Sequence, residues 1–304
     1  MPSLKYKMTE KLFFHTVKSI MGDSRMAFVD YVFSMAKKRK LEVPSARWQA
    51  GYLYEEIEDG ETTLIRIASK KSSHDALVLY LTGDGLFQPP ALADFELCGD
   101  LADHTGRDVW LLSYPLIPAA GPAVIMDCVL RTYEQALEHY APERIAVMGL
   151  SSGCLPGMGI CFELLKSGRA SELPQLLLLQ SPPLRIPPSD DQTERMREIE
   201  NRDCVFTADY YSWLSSITDY GEYKYFTVPL DLDMRGFPDI FAFFGENETA
   251  SAYADELQEK CAADGVKLVL QTGEKMMHNW CLLGNTPEAA AVRRRFYEIL
   301  TFSV

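Results

Sequence analysis

Six short runs of apolar, β-favouring residues recur along the chain, most of them separated by stretches with helical periodicity. They read "ALVLYL" (76–81), "DVWLLSY" (108–114), "RIAVMGL" (144–150), "QLLLLQ" (175–180), "DIFAFFG" (239–245) and "VKLVLQ" (266–271). A run that is apolar at nearly every position cannot be a strand with one wet face. It has to be covered on both sides. The intervening segments, such as "AVIMDCVLRTYEQALEHY", "SGCLPGMGICFELLKSG" and "ASAYADELQEKCAADG", are long enough for crossover helices. That alternation specifies a mostly parallel sheet with helices on both faces. Two more strands, "RWQAGYLYEEI" and "TTLIRIAS", flank "EDGE", a predicted hairpin turn, and bring the count to eight. The last helix is predicted in "TPEAAAVRRRFYEILTF".

Two regions lie outside this rhythm. The first forty residues hold two helical patterns, "KLFFHTVKSI" and "MAFVDYVFSMAKKRK", the second ending in basic residues that suit a helix C-terminus. Roughly sixty residues separate "QLLLLQ" from "DIFAFFG", too many for a simple crossover. The second half of that insertion is crowded with aromatic residues, among them Phe206, Tyr210, Tyr211, Trp213, Tyr220, Tyr223, Tyr225 and Phe226. They can wall a pocket, build the insertion's own small core, or do both.

Lys and Arg number 30 against 43 Asp and Glu, a formal net charge of −13. Nucleic acid and anionic membrane surfaces would repel such a chain, so neither is expected as a partner. No apolar run approaches the ~20 residues of a bilayer-spanning helix, and the first residues lack a signal peptide's uninterrupted apolar stretch. The seven cysteines form no CxxC pair and most sit in apolar runs, as expected of small buried side chains in a reducing cytoplasm.

The segment "VMGLSSGC" (147–154) carries the chemistry. Ser151 follows a predicted strand, opens a predicted helix and is flanked by Gly149 and Gly153, the context of a nucleophile held on a tight strand-to-helix turn. A serine hydroxyl needs a base, and the base needs an acid to orient it. Of the five histidines, His278 in "GEKMMHNW" lies just after the last strand, where this fold type places the base. His104 and His139 sit at helix ends, His15 lies on the first helix and His74 precedes a strand. The acid is expected just after "DIFAFFG", where "GENETAS" offers Glu246 and Glu248; Asp239 stands at the wrong end of the strand. Donors for a tetrahedral oxyanion are expected from the amide of Ser152 and from the "TGDG" loop, at Gly83, Asp84 and Gly85.

Six motifs in this order resemble the hormone-sensitive-lipase-like, or fold-3, esterase branch of the α/β-hydrolase superfamily, over nearly the whole chain. "LVLYLTGDGLF" stands where that family has a strand followed by His-Gly-Gly-Gly, and "LLSYPLIPAAGPAVIMD" is similar to its Tyr-Arg-Leu-Ala-Pro segment. "GLSSGC" resembles Gly-Asp-Ser-Ala-Gly-Gly, "SPPL" its Ser-Pro-Trp, "FFGENET" its Gly-x-x-Asp turn and "MMHNW" its Met-x-His-x-Phe segment. In the Gly-x-x-Asp turn the acid falls three residues after the glycine, which selects Glu248. Thr82 replaces the family's histidine and Asp84 replaces a glycine whose amide points at the oxyanion; a carboxylate facing inward there would raise the barrier.

The resemblance implies an α/β-hydrolase fold in a single domain over 1–304, with a helical cap from about 1–40 and 182–230. It implies a serine esterase acting through Ser151, His278 and Glu248 on small, short-acyl esters, with no metal or organic cofactor. Candidate substrate contacts are Phe87, Tyr210, Tyr211, Trp213 and Trp280. The expected partner is a small-molecule ester; the oligomeric state is open, a homodimer being one alternative. A non-catalytic small-molecule receptor on the same fold, and an amide or peptide hydrolase with the same triad, remain as competing readings.

Overall fold

The computed structural model of the chain describes residues 1–20, 24–36, 40–284 and 286–302. Of the expected N-terminal cap, residues 21–23 and the basic run 37–39 lie outside the described residues. Among the described residues eight strands form one sheet: β1 (Leu53–Asp59), β2 (Thr62–Ala68), β3 (Leu77–Leu81), β4 (Asp108–Ser113), β5 (Ile145–Leu150), β6 (Leu176–Gln180), β7 (Asp239–Gly245) and β8 (Leu268–Gly273). Their spatial order is β1-β2-β4-β3-β5-β6-β7-β8. β1 pairs antiparallel with β2, and β2 with β4; every later pair is parallel. The antiparallel edge is the hairpin around "EDGE", and the parallel strands are the continuously apolar runs.

The helices are α1 (Leu4–Ile20), α2 (Arg25–Ala36), α3 (Ala46–Gln49), α4 (Leu92–Thr105), α5 (Pro122–Leu137), α6 (Cys154–Lys166), α7 (Asp190–Ile199), α8 (Tyr210–Leu214), α9 (Ala254–Asp264) and α10 (Pro287–Phe302). Side-chain alternation along β3 explains why both faces are covered. Tyr80 turns to one side, where its hydroxyl donates to Asp94 of α4 (2.7 Å), while Leu81 turns to the other, toward Gly157 of α6. All residues of β3, β4, β5 and β6 are buried. All seven cysteines are buried and free. Among the described residues no helix is long and apolar enough to cross a membrane.

The N-terminal helices and the insertion after β6 are tied together above the C-terminal ends of the strands. Lys18 of α1 donates to the carbonyls of Glu200 and Asp203 just beyond α7. Tyr6 of α1, fully buried, accepts the amide of Met277 (2.5 Å). Phe28 of α2 packs edge-on against Tyr210 of α8, with ring centroids 5.4 Å apart. These elements roof the end of the sheet where β3, β5, β7 and β8 deliver their loops.

Candidate active site

β5 ends at Leu150, and the chain turns so tightly into α6 that Ser151 takes φ 48°. A left-handed serine is uncommon and stores strain. The surrounding backbone enforces it. A Cβ on Gly149 would lie 2.6 Å from Cα of Cys154, and one on Gly153 would lie 2.3 Å from the carbonyl oxygen of Leu81. Both glycines are therefore required by close backbone approach. The turn lifts Ser151 Oγ out of the sheet to within 2.9 Å of His278 Nε2.

His278 sits in the loop after β8, where Asn279 follows with φ 49° and donates its amide to Ser181 Oγ (3.2 Å). Its Nδ1 lies 2.6 Å from Glu248 Oε2. An ionised carboxylate only accepts, so Nδ1 carries the proton and Nε2 is left to accept from the serine hydroxyl. The other carboxylate oxygen of Glu248 accepts the amide of Gly245 (2.6 Å), which fixes the acid at the end of β7. All three side chains are buried, Glu248 completely. Glu246 turns away and accepts the amide of Lys275 (2.9 Å), so of the two acids only Glu248 meets the imidazole. The remaining histidines stand elsewhere. His74 pairs with Asp108, His104 stacks on Tyr297, His139 packs edge-on to Trp110, and His15 lies beside Phe14 on the exposed side of α1.

The loop after β3 lies directly on the nucleophile. A Cβ at Gly83 would fall 2.3 Å from the carbonyl of Leu150 and 2.7 Å from Cβ of Ser151. Asp84, Gly85 and Leu86 follow with φ of 45°, 67° and 63°. The amides of Leu86 and Phe87 close the turn onto Gly83 (2.9 Å) and Asp84 (3.2 Å). Those of Gly83, Asp84 and Gly85 donate to no acceptor among the described residues, which leaves them free for a ligand oxygen. Ser152 follows the nucleophile at the head of the turn into α6.

The segment after β4 steadies this loop where Thr82 stands in place of a histidine. Tyr114 donates its hydroxyl to the carbonyl of Thr82, and Ile117 donates its amide to that of Leu86 (2.9 Å). Asp84 lines the cavity together with Ser151 and His278, and its carboxyl is close enough to the imidazole to interact with it. Loss of water pushes its carboxyl up to about 7, the neighbouring Asp94 adds to the shift, and His278 opposes it.

A cavity of about 350 Å³ opens above the serine. Phe87 and Tyr210 line it, as do Phe13 of α1, Tyr31 of α2 and Phe206 of the insertion. Tyr211, Trp213 and Trp280, expected as substrate contacts, do not belong to its wall. Successive residues of α8 point about 100° apart. With Tyr210 toward the cavity, Tyr211 packs into the interior against Tyr253 (centroids 5.8 Å) and Trp213 leans on Phe28 (6.0 Å). Trp280 is buried against Gly273 of β8.

In sequence Phe206 is only one of the insertion's aromatic residues, and three more residues at the site, Asp203, Tyr6 and Tyr114, have no place among the sequence-based candidates. Phe206 stands edge-on to the His278 ring, with centroids 4.8 Å apart. Asp203, fully buried, accepts the amides of Val205 (2.8 Å) and Phe206 (3.0 Å) on one oxygen, and the amide and hydroxyl of Thr249 (2.7 and 2.9 Å) on the other. Tyr6 and Tyr114 brace the histidine loop and the Gly-rich loop. An Asp followed by amides two and three residues on is a turn signal readable in sequence. Its bond to Thr249 is not. Among the described residues no group of three or more His, Cys, Asp or Glu is arranged to hold a metal ion.

A family model described as alpha/beta hydrolase fold matches residues 78–282, more than half of the chain. Among solved structures, the chain is similar to an esterase from the bacterial hormone-sensitive lipase family, at 20% identity and TM-score 0.81 over 100% of this chain and 99% of that one. It is similar also to the esterase EstE5 in a crystal soaked with p-nitrophenyl butyrate (16%, TM-score 0.80, 99% of both chains). An esterase/lipase from an uncultured bacterium gives 16% and TM-score 0.79, again over 99% of both chains. At such identities the likeness is one of fold. No curated protein sequence matches. The matched model, the sheet order and the sequence of motifs together establish that the chain belongs to the α/β-hydrolase-fold family, in the hormone-sensitive-lipase-like branch that its motifs resemble.

Proposed function

We propose that this esterase-type hydrolase cleaves small carboxylic esters through an acyl-enzyme on Ser151. The observation that carries the reading is the unbroken relay from Glu248 through His278 to Ser151, with contacts of 2.6 and 2.9 Å. Ser151 Oγ attacks the acyl carbonyl while His278 Nε2 takes its proton. Glu248 holds the imidazole in the productive tautomer and balances the imidazolium. The carbonyl oxygen, now an anion, is met by the amides of the loop 83–85 and of Ser152. Collapse of the intermediate breaks the C–O bond to the alcohol, which leaves with the proton from His278. Water then adds to the acyl-enzyme with His278 again as base, and the acid is released. The cavity, about 350 Å³ and lined mostly by aromatic and aliphatic side chains, favours short acyl groups.

A phenolic butyrate tests the reading. Ser151→Ala should lower kcat by roughly 10⁵–10⁶, and a small fluorophosphonate should label Ser151 alone. Tight binding of the ester with no release of phenol by the wild-type chain would instead mark a receptor. A variant lacking the Ser151 hydroxyl yet hydrolysing at the wild-type rate would end the mechanism.

A further inference from the structure

The carboxylate of Asp84 is an anomaly in the cavity. It forms no hydrogen bond or ion pair among the described residues, and no Lys or Arg lines the space it faces. The other acid of the wall, Asp94, is engaged by the hydroxyls of Tyr80 (2.7 Å) and Thr82 (3.4 Å) and the amide of Ala91 (2.8 Å). The donors of the same wall, among them Gln88 and Asn279, make no bond to Asp84, and aromatic rings stand beside them. Tyr31 meets Phe87 edge-on (centroids 6.3 Å), and Phe206 stacks on Tyr210 (3.9 Å). Burial raises the phenols of Tyr31, Tyr114 and Tyr210, and the nearby charge of Asp84 adds to each shift. A lone carboxylate among aromatic faces is the chemistry that recognises an organic ammonium group.

The charge count during turnover points the same way. With Asp84 ionised, the site holds that carboxylate, Glu248 and the developing oxyanion against one imidazolium. At least two negative charges, Asp94 left aside, are then uncompensated in a water-poor space, which raises the barrier. A cationic group on the substrate would offset one of them, and would do so most strongly as the oxyanion forms. The net charge of −13 adds long-range attraction for a cation.

We propose that the substrate is an ester bearing an ammonium group, held by Asp84 against the rings of Tyr31, Phe87, Phe206 and Tyr210. This rests on the ester-hydrolase reading and narrows it to a charge class. Anionic acyl groups are excluded by the same carboxylate.

Choline butyrate and 3,3-dimethylbutyl butyrate have nearly the same shape and differ in charge. Their kcat/KM values are to be compared at pH 8, where Asp84 is ionised, for the wild type and for Asp84→Asn. Asn has the same shape and tolerates positive φ, so the loop is retained. The wild type should prefer the cationic ester by about tenfold or more, and Asp84→Asn should bring the ratio to about one. A wild-type ratio at or below one, or a preference that survives Asp84→Asn, overturns the proposal. Calorimetric binding of choline and of 3,3-dimethylbutan-1-ol covers the case in which neither ester is cleaved. Tighter choline binding, lost in Asp84→Asn, upholds the ammonium site while the hydrolase reading fails. Equal binding of the two alcohols to the wild type sinks the ammonium site itself.

Discussion

Asp203 is where a single substitution should disturb the imidazole from two sides. One of its oxygens fixes the amide of Phe206, whose ring stands 4.8 Å from His278. The other fixes the amide and hydroxyl of Thr249, the residue after Glu248. Asp203→Asn keeps the shape but replaces one acceptor oxygen with an NH₂ group. If the remaining oxygen stays on Val205 and Phe206, the NH₂ faces the Thr249 amide, donor against donor. The hydroxyl of Thr249 can rotate to accept; its amide cannot. The loss is one charge-assisted bond plus one buried donor left unpaired, about 2–4 kcal/mol in all. At roughly 2–3 °C per kcal/mol, Tm should fall by about 4–12 °C. Because the disturbed amide adjoins Glu248, kcat on a phenolic butyrate should drop by roughly 10–100-fold with little change in KM. Urea unfolding followed by far-ultraviolet circular dichroism, paired with initial rates, reads both effects. A variant within 0.5 kcal/mol of the wild type by the stability scale of ordinary surface changes, with unaltered kcat, would show that Asp203 anchors neither wall.

Three further outcomes are expected. Glu248→Gln should lower kcat by roughly 10³–10⁴ while fluorophosphonate labelling of Ser151 slows in parallel, because an amide cannot hold His278 in the same tautomer; a loss below tenfold would point to another orienting acid. Tyr114→Phe removes the bond to the Thr82 carbonyl and should cost about 1–2 kcal/mol of stability and roughly tenfold in kcat, read by urea unfolding and rates. Asp84 gives a pH signature. Its folded pKa of about 7 lies above the ordinary carboxylate value of 3.8, so between these pH values the folded chain holds a proton that the unfolded chain has shed. Its contribution therefore falls as pH rises through that window, and Asp84→Asn should stabilise the protein on the order of 2–4 kcal/mol more at pH 8 than at pH 4; equal effects at the two values would mean the carboxyl is unperturbed.

The parts of this molecule that were legible in sequence are those set by local rules. Burial on both faces forces a strand such as "ALVLYL" to be apolar throughout, and the elbow leaves no room for a side chain at Gly149 or Gly153. Each constraint acts within a few residues, so each leaves a mark that can be read in order along the chain. The motif order then carries the meeting of Ser151, Glu248 and His278, because β5, β7 and β8 end on the same side of the sheet and a parallel sheet brings the loops after them together. Glu248 over Glu246 needed more than composition. Both lie in "GENETAS", and the difference is that the amide of Gly245 reaches back to the residue three further on, leaving its second oxygen for the imidazole.

What stayed hidden depends on contacts between segments far apart in the chain. Trp213 and Tyr211 look like pocket residues because they are large and sit in the insertion. The phase of a five-residue helix against α2 and Tyr253 decides otherwise, and no pattern that short fixes a phase. The bond from Tyr6 to Met277 crosses nearly the whole chain, and a lone tyrosine on an amphipathic helix announces nothing. Asp84 is the instructive middle case. Its position in the Gly-rich loop marked it as a departure, but whether it would harm or help turned on where its carboxylate points and what faces it. Turned outward it would be a tolerated turn residue; turned inward and unpaired among rings it becomes a demand that the ligand bring the missing charge.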